Sequence, residues 1–237
     1  MATTLNSKRI MAILLSAGLV TGIGLSSAQA ADRYINVSAT GSVKVTPDTV
    51  RINASVSVVG ATSGAAQSSA SKAASAVRSA LSSNGIATQY IKTQSMTIYP
   101  EYNYTQDKGS VLTGYRASQS FEIIVRNAKN AGTVVDAIVA AGGDALQLEG
   151  VTPFVFNTAT STDAARAAAI TNAKAKATHY AKLLGVKLYS VTSLDETTAP
   201  SPYPIMMATA KLDSGATQVD LGQQDVSVSV TVKWSIK

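Results

Sequence analysis

Few side chains in this sequence could form a catalytic or metal site, because cysteine is absent and histidine occurs once, as His179. Thiol catalysis, zinc–thiolate binding and a multi-histidine metal site within one chain are therefore excluded. The sequence also lacks the phosphate-binding Gly-x-x-x-x-Gly-Lys, dinucleotide-binding Gly-x-Gly-x-x-Gly, Gly-x-Ser-x-Gly and His-Glu-x-x-His motifs. We predict no catalytic residue, no metal site and no cofactor.

Carboxylates are the remaining candidates for chemistry. A glycoside hydrolase brings two carboxyl groups to within about 10 Å of each other, and here the acidic residues are scattered along the chain. A hydrolase is therefore an alternative only if the fold brings distant carboxylates together. It requires at least two of the following to converge in one pocket: Asp48, Glu101, Glu122, Asp144 and Glu149.

The N-terminus has the pattern of an export signal. Two basic residues precede an apolar stretch of about 16 residues, Ile10–Leu25, and a small-residue Ala-Gln-Ala sequence follows it. The apolar stretch is shorter than the ~20 residues that a membrane-spanning helix needs. We predict a signal peptide over 1–30, cleaved between Ala30 and Ala31, and no transmembrane segment after cleavage.

The charge of the chain gives no sign of a nucleic-acid partner. The formal net charge is +6, and it falls to +4 when Lys8 and Arg9 leave with the signal peptide. The remaining basic residues are dispersed, without the block of five or six that is typical of nucleic-acid-binding segments. We therefore predict no nucleic-acid partner.

Hydrophobic periodicity predicts an α+β fold. Apolar and polar residues alternate over Val50–Val58 and Val226–Ile236, which is the period of antiparallel strands with one buried face. Other segments have the 3.6-residue period of helices packed on one side. The predicted helices are two long alanine-rich ones, over 65–84 ending at Gly85 and over 161–184 ending at Gly185, and a shorter one over 129–141.

The later long helix has a predicted buried stripe and one basic residue beside it. Arg166 lies near the stripe and close to Asp163, which predicts a local ion pair with the arginine stem covering the sheet. The predicted stripe consists of Ile170, Ala173, Ala177, Tyr180, Ala181 and Leu184.

The order of the predicted elements recurs. A strand, a long helix and two further strands occupy about 49–126 and again about 144–237, and the shorter helix joins the two blocks. We therefore predict one domain over 31–237, built from two related halves in which antiparallel sheets are packed by the alanine-rich helices.

Two loops are candidates for function. The first loop, over 99–115, is predicted to form a long hairpin that passes through Gly114. Its tyrosines could contact a partner because each ring combines apolar area with a polar end. Alternatively, the rings pack across the two strands as cross-strand pairs. The second loop, over 196–224, is longer than most connections and is therefore either mobile or used. The candidate contact residues are Tyr99, Tyr102, Tyr104 and Tyr115.

Five segments, in this order, resemble the SIMPL domain family, also called the domain of unknown function 541. The family start Gly-x-Val-x-Val-x-Pro-Asp is present as Gly41–Asp48, and the long loop is where the chain departs from the pattern. The segments are Ile35–Asp48, Leu81–Ile86, Ile98–Tyr104, Gly114–Ser118 and Ala165–Ala177, the last continuing to Gly185.

The resemblance implies an exported bacterial protein of the periplasmic or outer-membrane immunogenic type, with an α+β fold and a tendency to self-assemble. Some members are associated with oxidative stress. The family has no established catalytic residues, so none is transferred to this chain. Within the motifs, Pro47 and Asp48 are expected to shape the start of the first long strand, and Gly85 and Gly185 to end helices.

The predicted function is that of a non-enzymatic exported protein, periplasmic or secreted, which forms homo-oligomers, contacts a cell-envelope component and takes part in a stress response. Two alternatives stay open. One is an envelope hydrolase with a carboxylate-based site. The other is a glycan-binding or surface-binding module, which needs exposed tyrosine rings in a shallow groove.

Overall fold

The computed structural model describes residues 33–107, 109–197 and 217–237. The predicted signal peptide, with its cleavage site at Ala30 and Ala31, lies outside these residues, as does most of the predicted loop over 196–224. The cleavage site therefore stays a prediction.

Seven strands and three α-helices form the described residues, and each helix lies between strands in the sequence. The predicted helix bounds differ from the observed ones by no more than two residues at either end, and the α+β class is confirmed. The strands are β1 (Tyr34–Val45), β2 (Thr49–Gly60), β3 (Ile91–Thr105), β4 (Gly109–Val125), β5 (Leu146–Phe154), β6 (Leu188–Thr197) and β7 (Gln224–Ile236). The helices are α1 (Ser63–Ser83), α2 (Ala131–Gly142) and α3 (Ala159–Leu183), with 3₁₀ turns at Thr88–Tyr90, Ala128–Asn130 and Gly143–Ala145.

The strands form two antiparallel sheets. One sheet has four strands in the order β3-β4-β2-β5, and the other has three in the order β1-β7-β6. The register places apolar residues opposite each other on the buried faces, as with Val50 and Val125 in the first sheet and Val37 and Val232 in the second. The alternation read from the sequence therefore sets which face of each strand meets the helices.

The two sheets exchange strands. β1 and β2 are consecutive in the chain, yet they lie in different sheets. β5 begins the second predicted half, yet it pairs with β2 of the first, and β1 pairs with β7 in the other sheet. The element order of the predicted halves is present, but each sheet depends on a strand from elsewhere in the chain.

Each sheet is covered by helices on one face. In the first core, Ile52 and Phe121 of the four-stranded sheet are fully buried together with Leu81 of α1 and Ile138 of α2. The second core is built by α3 on β1 and β7, and it contains mainly alanine and valine.

The buried stripe of α3 differs from the predicted one. The helix buries an alanine at every fourth position, whereas Ile170, Tyr180 and Leu184 are 41%, 43% and 66% exposed. The prediction was wrong for these three large residues. The buried positions are Ala165, Ala169, Ala173, Ala177 and Ala181.

Close contact between α3 and β1 explains this stripe. A Cβ atom built on Gly41 would lie 2.2 Å from the carbonyl oxygen of Ala165 and 2.3 Å from the amide nitrogen of Ala169. The helix backbone therefore rests directly on the strand, and only methyl-sized side chains fit between them. Larger residues on the helix must face outward.

We expect Gly41→Ala to lower the free energy of unfolding by about 3 kcal/mol, because the added methyl group must push the α3 backbone away from the strand. Urea denaturation measures the change. Gly64→Ala is the matched control, since a Cβ at Gly64 meets nothing within 4 Å, and it should be neutral or slightly stabilising. Equal stabilities of Gly41→Ala and the parent protein would contradict the close contact.

Candidate contact surface

A hairpin arm extends from the four-stranded sheet. β2 ends at Gly60, opposite Tyr115, and beyond this point β3 and β4 continue as a two-stranded ribbon over 100–107 and 109–114, here called the arm. At its root, a Cβ on Gly114 would lie 2.8 Å from the carbonyl oxygen of Gly60, so glycine lets β4 pass closely over the end of β2. The arm is thus held at its base and open to solvent along its length.

The four candidate tyrosines do not share one environment. Tyr99, Tyr102 and Tyr104 are 47%, 57% and 76% exposed. Tyr115 is half-buried and packs against the small cluster of Ala66, Ala70 and Ala117 below α1. Three rings are therefore available to a partner, and the fourth belongs to the core.

Register separates the exposed rings between two faces. Alternation along β3 places Tyr102 and Tyr104 on the same face as Met96 and Ile98, whose cross-strand partners are buried residues on the α1 side. Tyr99 lies on the opposite face, across from Arg116. We call the α1-side set of exposed apolar residues the arm stripe: Met96, Ile98, Tyr102, Tyr104 and Leu112, which is the partner of Tyr102.

Sequence reasoning missed the apolar part of this surface. Met96 is 61% exposed, although it lies on the face that the helix covers elsewhere, because α1 packs over β2 and β4 and leaves β3 open. A cleft of about 150 Å³ between α1 and β3 is lined by Gln67, Ala70 and Ile98 as well as Met96. Alternation along β3 places Met96 and Ile98 on one face, and the position of the helix leaves that face uncovered.

An ion pair fastens the root of the arm. Arg116 Nη2 donates to Glu101 Oε1 at 2.6 Å, and its Nη1 donates to the hydroxyl of Ser57 on β2 at 3.2 Å. The hydrogen bond to the Glu101 carboxylate, with its negative charge, raises the pKa of Arg116 despite partial burial. A bulge follows at once, where Thr113 donates to the carbonyl oxygen of Glu101. These contacts fix the direction in which the arm leaves the sheet.

Pro47 and Asp48 form a corner that joins three parts of the chain. The turn between β1 and β2 buries Pro47. The carbonyl oxygen of Asp48 accepts from Ala128 N at 3.0 Å, and its carboxylate accepts from Phe156 N and from the Thr49 hydroxyl, both at 2.9 Å. The corner therefore ties the end of β4 and the start of the α3 connection to the turn where the chain changes sheets.

The pKa of Asp48 lies below its ordinary value of 3.8. Burial alone would raise the pKa, but the hydrogen bonds from Phe156 N and Thr49, together with the charge of Arg126, outweigh this effect. Because the folded-state pKa is depressed, the carboxylate stabilises the fold fully above the unfolded-state pKa. That contribution is lost as pH falls through the folded-state pKa.

We expect Asp48→Asn to lower the free energy of unfolding by about 1 kcal/mol at pH 7, because the amide keeps the shape but loses the charge-assisted hydrogen bonds. The difference from the parent protein should shrink as pH falls below about 4. Chemical denaturation at pH 7, 5, 4 and 3 tests both statements. Asp107→Asn, in the turn of the arm, is the control. A difference that persists unchanged at pH 3 would contradict the role of the charge.

The remaining structural residues lie at helix ends and at a helix–sheet contact. Gly85 and Gly185 follow α1 and α3 in the left-handed conformation, with φ of 77° and 65°. Arg166 donates to Asp163 in its own helix at 2.5 Å and, through Nε and Nη2, to both carboxylate oxygens of Glu196 on β6 at 2.7 and 2.9 Å. The sequence suggested the first partner only, because the second depends on how α3 lies on the sheet.

Of the five carboxylates of the hydrolase alternative, Glu122 and Glu149 lie near each other. Glu101 and Glu122 are separated by eight positions of β4, which is about 27 Å. Glu149, at the bulge of β5, and Glu122 flank Asn53 of β2 on either side, about 10 Å apart at the backbone. Glu149 is exposed, and Glu122 pairs with Arg51 at 3.4 Å. Asp48 lies at the corner between β1 and β2, and Asp144 lies in the 3₁₀ turn before β5.

The described residues contain neither a metal-binding cluster nor a helix able to span a membrane. No group of three or more histidine, aspartate or glutamate side chains in them is arranged to hold a metal ion. None of the helices in them combines the length and the apolar character that crossing a membrane requires.

Comparison with known proteins identifies the family. The chain matches SIMPL, described as "Protein of unknown function (DUF541)", over residues 35–234. It is 31% identical over 218 residues to the "26 kDa periplasmic immunogenic protein" of Brucella melitensis, which covers 86% of this chain and 84% of that protein. It is also 31% identical over 177 residues to "Uncharacterized protein YggE" of Escherichia coli K12, which covers 73% of this chain and 71% of that one.

A solved structure of an unknown protein from Galdieria sulphuraria also matches, with 10% identity and a TM-score of 0.25 over 79% of this chain and 84% of that chain. This score is too low to indicate a shared fold. The family match covers most of the sequence, so the chain belongs to the SIMPL family. With a relative that is named as periplasmic, it is an exported protein of the bacterial cell envelope.

Proposed function

We propose that this protein acts without catalysis, through self-assembly and through contacts in the cell envelope, and that the arm is its principal contact surface. The observation that carries the proposal is the arm stripe, a continuous row of large apolar side chains that are 44–76% exposed. Soluble proteins rarely expose such a row unless it meets a partner. Tyrosine is among the residues that contribute most to binding interfaces.

The geometry of the arm favours a second copy of the chain as this partner. β3 is one of the two edge strands of its sheet, so its unpaired backbone groups are available to another strand. The arm stripe runs along the same strand and offers side-chain contacts next to those groups. A copy that pairs with β3 would satisfy the edge and cover the stripe at once.

The proposed absence of catalysis is supported by the sequence and by the partners of the carboxylates. Glu101 and Glu122 are each bound to an arginine on the outer face of the four-stranded sheet, and the named relatives carry no enzymatic name. A role in stress response rests only on the family resemblance and stays a prediction.

We expect Tyr102→Ser, Tyr104→Ser and Leu112→Ser together to weaken self-association at least tenfold, because about 1.4 kcal/mol of apolar contact is a tenfold change in the dissociation constant. Size-exclusion chromatography with light scattering over a concentration series measures it. The matched control removes three exposed apolar side chains from α3 instead: Tyr180→Ser, Leu183→Ser and Leu184→Ser.

The outcomes distinguish whether the protein self-associates from whether the arm is the interface. Dissociation of the arm variant alone supports the proposal. Dissociation of the α3 variant alone would keep self-assembly but move the interface away from the arm. A parent protein that is monomeric at high micromolar concentration would overturn the assembly. If that monomer pulls down cell-wall polysaccharide and the arm variant does not, the glycan-binding alternative is correct.

Export predicts that the protein recovered from the envelope begins at Ala31. Intact-mass measurement of protein expressed in a Gram-negative host tests this directly. Ala28→Arg should block cleavage, because signal peptidase accepts only small residues at this position, and the protein should then keep residues 1–30. A mature mass that includes these residues in the parent protein would contradict cleavage.

A further inference from the structure

A cavity that is open to solvent lies at the end of β4 opposite the arm. Its volume is about 160 Å³, and it is bordered by the end of α1, the 3₁₀ turn before β3, the end of β4 and the turn before α2. Arg126, Asn127 and Asn130, which line it, are exposed residues. The side chains that line it with hydrogen-bonding groups are those of Asn84, Tyr90, Arg126, Asn127 and Asn130.

Arg126 is held at this cavity by aromatic rings. Its guanidinium carbon lies 3.5 Å from the centre of the Phe156 ring and 5.6 Å from that of Tyr90, and Nη1 donates to the Tyr90 hydroxyl at 3.0 Å. Stacking on the rings fixes the plane of the guanidinium and leaves its other N–H groups directed along that plane. A preoriented guanidinium is suited to bind a carboxylate through two parallel hydrogen bonds.

The charge of Arg126 has no direct partner within the part of the chain that the structure describes. Arg51, Arg116 and Arg166 each lie within 2.5–3.4 Å of a carboxylate oxygen. The carboxylate nearest in effect to Arg126 is that of Asp48, and it is turned toward Phe156 N and Thr49. The guanidinium therefore remains able to take a carboxylate from outside the chain.

Three asparagine side chains add hydrogen-bonding groups. Asn84 donates its Nδ2 to Ala80 O at 2.8 Å, which leaves its Oδ1 as an acceptor. The Oδ1 of Asn127 accepts from Lys129 N at 3.2 Å, which leaves its Nδ2 as a donor. Asn130 precedes α2 without making the usual capping bond. The cavity therefore offers donor groups from Arg126, Asn127 and Asn130 and an acceptor from Asn84, which suits a ligand with a carboxylate and a neighbouring N–H or O–H.

We propose that this cavity binds the carboxylate of a small molecule that carries an N–H or O–H group next to it. Arg126 receives the carboxylate, Asn127 and Asn130 donate to it, and Asn84 accepts from the neighbouring group. The C-terminal residue of a peptide and an acidic sugar share this chemistry. The site is independent of the arm, because it lies at the other end of β4, and either can fail without the other.

Ligand-observed saturation-transfer NMR on the protein tests the proposal with four probes: N-acetylglycine, sodium glucuronate, the neutral N-acetylglycinamide and neutral N-acetylglucosamine. We expect saturable binding of at least one carboxylate probe, and which one binds identifies a peptide end or an acidic sugar as the source. The neutral probes should bind at least tenfold more weakly.

Two variants and a control locate the binding. Arg126→Gln should raise the dissociation constant at least tenfold. Asn130→Ala removes no bond within the described structure, so it should weaken binding severalfold without lowering the melting temperature. Arg78→Gln is the matched control, since Arg78 also stacks on a ring, that of Phe121, and bonds a hydroxyl, that of Thr93, but lies outside the cavity.

Three results would overturn the proposal. They are signals that do not saturate up to tens of millimolar, equal binding by Arg126→Gln and the parent protein, and tighter binding of N-acetylglucosamine than of either carboxylate. If Arg126→Gln fails to fold, unchanged binding by Asn130→Ala is sufficient to reject the site.

Discussion

The short distance between the helix backbones and the strands determines which side chains the rest of the structure can bury. At Gly41 the backbone of α3 touches β1, and at Gly60 a Cβ would lie 2.5 Å from the amide nitrogen of Ala66 in α1. At such separations only hydrogen atoms and methyl groups fit between helix and strand. α3 consequently buries only alanine, and its large side chains, such as Ile170 and Leu184, are directed into solvent. α1 buries Ala66 and Ala70 at this contact and larger residues farther along the helix.

The aromatic residues divide between the cores and the surface. Phe121 is buried in the core of the four-stranded sheet and Trp234 in the core under α3, and the chain contains only one tryptophan and three phenylalanines. The exposed tyrosines lie on the arm, as Tyr102 and Tyr104, on edge strands, as Tyr34 and Tyr189, and on α3, as Tyr180. Those of the arm belong to the surface that we propose for assembly.

Strand exchange makes the two sheets interdependent. β1 completes the three-stranded sheet that α3 covers, and β5 extends the four-stranded sheet that α1 covers. The chain passes from one sheet to the other at Pro47 and Asp48. The motif Gly41–Asp48 therefore has a structural task at each end. Its glycine admits the helix backbone, and its aspartate holds the end of β4 and the start of the α3 connection. Neither task involves chemistry on a substrate.

The sequence by itself determined the local structure. Alternation and the 3.6-residue period predicted the long strands and the three helices, and Gly85 and Gly185 marked helix ends, because these signals depend on neighbouring residues only. It also indicated the arm and its tyrosines. Partner choice was decided by the tertiary structure: β5 joins β2, Tyr115 turns into the core, and Met96 is uncovered because α1 lies over other strands. The cavity at Arg126 has the same origin, since its residues come from two stretches of the chain, 84–90 and 124–130, and no local pattern records that the fold brings them together.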